Sequence, residues 1–179
     1  INEPKISFII NQREPGSGHA FRTFNLFGGS SLDQKLRIPF RGQLTNDDMT
    51  EFYRDSLFTG IDMFYGLDGV DGFNNLAPRR NSRVLAHIGS ENSTVGERLA
   101  YLEEDLNKKL SIFTERLNLL SAMNVKYIIS AFELPKSNDM ELIHTVSSTR
   151  FNIPIYLYEN KKVLPRIYLA NSIEYITET

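Results

Sequence analysis

The sequence predicts a single α/β domain of 179 residues, in which helices pack on a mixed β-sheet and a β-hairpin lies near the C-terminus. A long pattern of apolar residues at helical spacing, residues 94–123, is followed at once by the apolar run Val125–Phe132, which is typical of a buried strand. Ile153–Tyr158 and Val163–Leu169 have strand character on either side of the polar segment Glu159–Lys162, and this arrangement predicts the hairpin. Strands before and after the long helical pattern indicate a mixed sheet.

Short strands are predicted in the N-terminal region. Ile6, Phe8 and Ile10 alternate with polar residues, as they would on a half-buried strand. Pro39 would confine a strand around it to a sheet edge, because proline cannot donate a ladder hydrogen bond. The predicted strands here are Lys5–Asn11, Phe21–Phe27 and Lys35–Phe40, and a weaker one is predicted later in the chain at Leu142–Val146.

Three helical regions are predicted. Thr45 suits an N-cap because acidic residues follow it, and the helix that it begins runs to about Leu57. Pro78 suits the first turn of a second helix, Arg79–Ile88. The long apolar pattern is either one helix or two helices joined near Lys108–Ser111. The apolar stripe of the first helix would be formed by Met49, Phe52, Tyr53 and Leu57.

Composition excludes several classes of function. The net charge is −2, which offers no electrostatic argument for a nucleic-acid partner or for an anionic membrane surface. The chain has no cysteine, which excludes disulfides, thiolate zinc sites and a cysteine nucleophile. Its three histidines are far apart in sequence, and neither a phosphate loop nor a nucleophile elbow is present. We therefore predict no catalytic residue, no metal and no cofactor. No run of about 18 apolar residues occurs, so no segment is predicted to span a bilayer.

Three segments, taken in order along the chain, resemble a known family. The first is MFYGLDGVDGFNNL at Met63–Leu76, followed by Pro-Arg-Arg at 78–80. The second is LNLLSAMNVKYII at Leu117–Ile129. The third combines IYLYEN at Ile155–Asn160 with VLPRIYL at Val163–Leu169. In this order they resemble the soluble region of the YfhO family, a family of polytopic bacterial membrane proteins related to GT-C glycosyltransferases.

The resemblance implies that residues 1–179 are one soluble domain of a larger membrane protein, on the extracytoplasmic face of a bacterial cell membrane. It also implies a role in the transfer of sugars from lipid-linked donors to cell-envelope polymers. The implied partners are the transmembrane part of the same parent chain and a glycan or lipid-linked sugar. In GT-C enzymes the acidic catalytic residues lie near the first transmembrane helices, so no residue of this chain is implied to be catalytic.

The segment 65–80 is the candidate binding surface. Its rings suit apolar sugar faces, its carboxylates and amides suit sugar hydroxyls, and its two arginines suit a phosphate. The structural alternative is that the rings belong to the core, the arginines are solvated and the acidic, glycine-rich stretch is a turn. A calcium site in this stretch would lack the usual ligand spacing. The candidate binding residues are Tyr65, Asp68, Asp71, Phe73, Asn74, Asn75, Arg79 and Arg80.

Two functions from different classes remain. The first is an accessory domain that positions an acceptor polymer or a lipid-linked sugar. The alternative is a non-catalytic structural or protein-interaction domain of a membrane protein. A concave surface with exposed rings at residues 65–80 would favour the first, whereas buried rings and a flat loop would favour the second.

Overall fold

The computed structural model describes residues 3–15, 20–26, 40, 42–58, 61–70, 84, 87–88 and 106–167 of the chain. The helices within these ranges are α1 (Lys5–Arg13), α2 (Asn46–Asp55), a short 3-10 helix (Asp62–Tyr65), α3 (Leu106–Glu115) and α4 (Leu117–Ala122). The strands are β1 (Arg22–Leu26), β2 (Asp68–Gly69), β3 (Val125–Ser130), β4 (Met140–Ser148) and β5 (Ile153–Asn160).

The five strands form one mixed sheet in the order β2-β1-β3-β5-β4. β1 lies parallel to both β2 and β3, whereas β5 is antiparallel to β3 and β4. The predicted α/β class with a mixed sheet is confirmed. Because β1, β2 and β3 are parallel neighbours, all three strands begin at the same end of the sheet.

The central strand β3 is buried on both faces of the sheet. Tyr127 and Ile129 belong to a first core cluster, to which α1 and α2 contribute. Ile128 points to the other face and belongs to a second core cluster, to which α3, α4 and β1 contribute. Successive side chains of a strand alternate between faces, so a strand with a core on each side reads as a continuous apolar run. The predicted buried strand at Val125–Phe132 is confirmed.

The strand predicted at Lys5–Asn11 is wrong, because this segment forms the helix α1. Ile6 and Ile10 are buried in the first core cluster, whereas Phe8 between them is 50 % exposed. Residues four apart share one face of a helix, so the spacing that resembles a strand is also that of α1. Pro4 precedes the first helical residue, where its missing N–H removes no helical hydrogen bond.

The predicted N-cap at Thr45 is confirmed in α2. The Thr45 hydroxyl accepts a hydrogen bond from the Asp48 backbone N–H (3.2 Å), and the Asp48 carboxylate accepts one from the Thr45 backbone N–H (2.8 Å). This reciprocal capping box satisfies donors that the first helical turn leaves unpaired. The hydrogen bonds from Thr45 hold the pKa of Asp48 below its ordinary value. The predicted apolar stripe lies in or against the first core cluster: Met49, Phe52, Tyr53 and Leu57.

The described part of the long helical pattern forms two helices, α3 and α4, which was one of the two predicted alternatives. The predicted junction near Lys108–Ser111 is wrong, because the helices meet at Arg116, where φ is −102° and ψ is 18°. The guanidinium of Arg116 donates a hydrogen bond to the backbone carbonyl of His87. Because His87 lies far from Arg116 in the sequence, this contact cannot be predicted from the local pattern of apolar residues.

The hairpin near the C-terminus is formed by β4 and β5, and the prediction that it surrounds Glu159–Lys162 is wrong. The strand predicted at Leu142–Val146 is confirmed as part of the longer β4. The described part of the predicted strand Val163–Leu169 is not a strand. The backbone N–H of Leu164 instead donates to the carbonyl of Ser121 in α4 at 3.1 Å, and the proline that follows has no N–H for a sheet.

Several predicted elements lie partly outside the described residues. In the second predicted helix, three residues are described, and all three are helical. The segments outside the description are Phe27 of the predicted strand Phe21–Phe27, Lys35–Pro39 of the predicted edge strand, Pro78 and the other residues of Arg79–Ile88, residues 94–105, and Tyr168 and Leu169.

Candidate functional site

Two of the eight predicted binding residues, Tyr65 and Asp68, lie in the described part of the chain. Tyr65 ends the 3-10 helix, and Asp68 begins β2. Around these two residues, the structure describes residues 61–70. The six predicted residues that lie outside the described residues are Asp71, Phe73, Asn74, Asn75, Arg79 and Arg80.

The 3-10 helix presents two apolar side chains to solvent. Met63 is 72 % exposed and Phe64 is 85 % exposed, whereas Tyr65 is half-buried against the first core cluster. Gly66 ends this helix in the left-handed conformation, with φ at 73°, which is a backbone state that glycine adopts without strain. The ring that this segment exposes is therefore that of Phe64, which we did not predict as a binding residue, and Tyr65 has a packing role.

Asp68 is paired with two arginines that we did not predict. Arg22 Nε lies 3.4 Å and Arg166 Nη2 lies 3.0 Å from the same carboxylate oxygen, Oδ2. Arg22 begins β1, and Arg166 follows β5, so only the folded chain brings them to Asp68. The sequence predicted positive charge at this site from Arg79 and Arg80, and the described contacts supply it from elsewhere in the chain.

Asp62 is a buried carboxyl group beside this surface. Its Oδ2 accepts a hydrogen bond from the Thr23 hydroxyl at 3.0 Å, and its Oδ1 accepts one from the Met63 backbone N–H at 3.0 Å. Burial raises the pKa of Asp62, and these hydrogen bonds offset only part of that effect. A Cβ atom at Gly69 would lie 1.9 Å from Asp62 Oδ2, so the close approach of this carboxyl to β2 requires a glycine.

Replacing Asp62 by asparagine is expected to stabilise the protein near neutral pH. Because the folded-state pKa is raised, the unfolded chain releases this proton first, and the unchanged protein loses stability as the pH rises from about 4 through the folded-state pKa. Asparagine can hydrogen-bond to Thr23 and to the Met63 N–H without titrating. The measurement is the urea midpoint of both proteins across this pH range. An equal midpoint difference at every pH would contradict the role assigned to the buried carboxyl.

The three segments of the family resemblance contact one another. The Asn160 side chain donates to two oxygens of the second segment, at 2.9 and 3.0 Å. Asn124 Nδ2 donates to the Leu164 carbonyl at 2.8 Å, which also joins the second and third segments. The ion pair between Asp68 and Arg166 joins the first segment to the third. These residues therefore hold the fold together around the start of the parallel strands.

A second charged cluster fixes α1 to the sheet. Lys126 Nζ contacts Glu14 and lies 3.6 Å from Glu159, which in turn pairs with Arg13 at 2.6 Å. The Tyr127 hydroxyl donates to Glu14 at 3.0 Å. Burial and then this hydrogen bond raise the pKa of Tyr127, which keeps the phenol protonated. The adjoining cavity of about 20 Å³ has room for roughly one water molecule, so the cluster is suited to structure rather than to binding.

An open groove of about 580 Å³ borders β4. β4 ends the sheet among the described strands, and it has nine residues. The groove is lined by apolar side chains and by charged side chains of both signs. Its lining includes Leu134, Met140, Leu142, Tyr158, Glu133, Lys136, Glu141 and Lys161.

In the part of the chain that the structure describes, no group of three or more His, Cys, Asp and Glu residues is placed to hold a metal ion. Burial and the charge of Arg116 lower the pKa of His87, which disfavours its charged form.

Over the same described ranges, no helix combines the length and the apolar character needed to cross a bilayer.

Comparison with protein-family models, with curated proteins and with solved structures finds no significant match to this chain.

Proposed function

We propose that this chain is an extracytoplasmic accessory domain of a bacterial GT-C-like membrane glycosyltransferase of the YfhO type. The parent protein would glycosylate cell-envelope polysaccharide or teichoic acid, and this domain would position the acceptor or the lipid-linked sugar. The chemistry would take place in the transmembrane part of the same parent chain. One observation carries this role: the exposed side chains of Met63 and Phe64 lie close in sequence to an aspartate that holds two arginines.

An exposed ring and two guanidinium groups are the kinds of side chain that suit a glycosyl phosphate. The face of an aromatic ring packs on the apolar face of a sugar or on a polyprenyl chain. A guanidinium group can bind two phosphate oxygens at once. Phe64, Arg22 and Arg166 provide these groups on segments that Asp68 connects.

The two carboxyl groups of this surface that the structure describes hold other protein groups. Asp62 is buried and accepts two hydrogen bonds, and Asp68 pairs with two arginines. A general acid or base has to come within hydrogen-bond distance of the reacting atom. The arrangement therefore favours positioning of a ligand over its chemical conversion by this chain.

Short-chain polyprenyl sugar phosphates are expected to bind this chain, and the substitution Phe64→Ala is expected to weaken that binding about ten-fold, since it removes most of an apolar contact surface. The measurement is ligand-observed NMR, in which the ligand signals are attenuated by saturation transfer from the protein. Because Phe64 is largely exposed, the variant should retain the far-UV circular dichroism of the unchanged protein.

The matched control is Phe8→Ala, the same substitution at a residue that is 50 % exposed on α1. It should leave ligand binding unchanged. Binding that both variants weaken equally would argue against a site at Phe64. No binding by the unchanged protein at millimolar ligand would argue against substrate positioning altogether.

The alternative function is a non-catalytic structural or protein-interaction domain, and the β4 edge favours it. A strand at the end of a sheet can pair with an extended segment of another chain. The lining of the neighbouring groove includes apolar Leu142, which is 43 % exposed. Failure of sugar phosphate binding would make this edge the leading candidate for the function of the chain.

A further inference from the structure

The four methionines of the chain differ in exposure. Met63, on the 3-10 helix, is 72 % exposed, whereas Met140 on β4 is 6 % exposed and lies in the second core cluster. Met49 packs against the first core cluster, and Met123 packs against the second. Among the described residues, which include all four methionines, Met63 is the one that lies outside both clusters. Solvent therefore reaches its thioether more readily than the other three.

The backbone at Met63 is held in place independently of its side chain. Its N–H donates to Asp62 Oδ1 at 3.0 Å, and its carbonyl accepts from the Gly66 N–H at 3.2 Å. The ring of the next residue, Phe64, is also exposed. A chemical change at the end of the Met63 side chain therefore alters an exposed apolar surface and leaves the fold intact.

Methionine is the residue of this chain that a peroxide oxidises most readily, because the chain contains no cysteine. We propose that Met63 is an oxidant-responsive modification site, which peroxide converts to the sulfoxide ahead of the other three methionines. The modification makes the exposed surface of the 3-10 helix more polar. It requires no ligand, so this proposal goes beyond the proposed function and does not depend on it.

The reaction with hydrogen peroxide is a two-electron oxygen transfer. A lone pair of Met63 Sδ attacks one peroxide oxygen, so that an S–O bond forms and the O–O bond breaks. The released hydroxide takes the proton of the sulfur-bound hydroxyl group and leaves as water, and sulfur has been oxidised while the peroxide has been reduced. A methionine sulfoxide reductase reverses the change with two electrons from a dithiol, which becomes a disulfide while the oxygen leaves as water.

Exposure favours both the oxidation and its reversal. A thioether in a packed core meets peroxide only when the structure opens, and the free energy of that opening slows its oxidation. A sulfoxide is polar, so in a core it also disrupts packing. Neither effect applies to Met63, whose side chain is already in solvent. Its oxidation is therefore fast, and a reductase can reach the product without unfolding the chain.

The sequence permits a direct test, because trypsin places each methionine in a different peptide. Hydrogen peroxide is added to the folded full chain, samples are quenched with catalase at intervals, and the digests are analysed by mass spectrometry. We expect Met63 to gain one oxygen roughly ten-fold faster than Met140, and we expect the four rates to converge in guanidinium chloride. The peptides 42–54, 55–79, 117–126 and 137–150 contain Met49, Met63, Met123 and Met140, respectively.

Retention on a hydrophobic interaction column tests the change in the surface. Mild oxidation should shorten the retention of the unchanged protein, and reductases for both sulfoxide epimers should restore it. Met63→Leu is the matched control, because leucine keeps an apolar side chain at this position that cannot take up the oxygen. Its retention should not change with peroxide. The far-UV circular dichroism of both proteins should stay constant throughout.

Several results would overturn the proposal. Equal oxidation rates for Met63 and Met140 in the folded protein would do so, as would faster oxidation of Met49 or Met123. Retention that shortens as much for Met63→Leu as for the unchanged protein would show that the change arises elsewhere in the chain. Both measurements are made without sugar phosphate, so the modification site and the proposed function can fail separately.

Discussion

Replacing Phe113 by alanine is expected to lower the free energy of unfolding by about 4 kcal/mol, the range found for large-to-small changes in a packed core. Phe113 is fully buried in the second core cluster, and its ring stacks on that of Phe24 with centroids 6.0 Å apart and planes at 11°. The substitution removes this contact between α3 and β1 and leaves a cavity that the surrounding structure fills only in part.

Equilibrium unfolding in guanidinium chloride, with circular dichroism as the probe, measures this loss. Phe8→Ala is the matched control, because it removes the same ring from a half-exposed position on α1 and should change stability by no more than about 0.5 kcal/mol. A loss below about 1 kcal/mol for Phe113→Ala would contradict the packing of α3 on the sheet.

Replacing Asn160 by alanine is expected to lower the free energy of unfolding by about 3 kcal/mol, because it leaves buried partners without hydrogen bonds. The side chain of Asn160 is buried and donates to Ser121 Oγ at 3.0 Å and to the Val125 carbonyl at 2.9 Å. Its Oδ1 accepts from the Lys162 backbone N–H at 3.1 Å. One amide thus joins β5 to α4, to the start of β3 and to the chain that leaves the sheet.

The control for this prediction is Asn138→Ala, at an exposed position in the turn before β4, where the same substitution should cost about 0.5 kcal/mol or less. Both variants are compared by urea unfolding at one pH. If Asn160→Ala were as stable as Asn138→Ala, the amide would not be the structural junction that its contacts indicate. The conservative variant Asn160→Asp should also destabilise the protein, because a carboxylate cannot donate to the Val125 carbonyl.

Much of the α/β architecture was predictable from local patterns. The capping box at Thr45, the buried strand β3 and the position of β5 depend on interactions between residues that are close in sequence. A local pattern therefore predicts them. The helix α1 was misread because Ile6 and Ile10 satisfy strand and helix spacing equally well, and burial against the sheet selects between them.

The candidate site was predictable only in part. The segment around Asp68 was identified, but its exposed ring is Phe64, and its described charge partners are Arg22 and Arg166. The sequence shows that a turn contains apolar residues. Whether their side chains are exposed depends on which of them the rest of the folded chain covers.

The sequence by itself determined the fold class, the N-cap at Thr45 and the double burial of β3, since each depends on the chemistry of adjacent residues and on backbone periodicity. Only the tertiary structure decided that β5 pairs with β4 and that Arg22 and Arg166 meet at Asp68. It also decided that the Asn160 side chain donates a hydrogen bond to the Val125 carbonyl at the start of β3. These contacts join residues far apart in the chain, and their energy depends on distance in space, which no local spacing of residue types records.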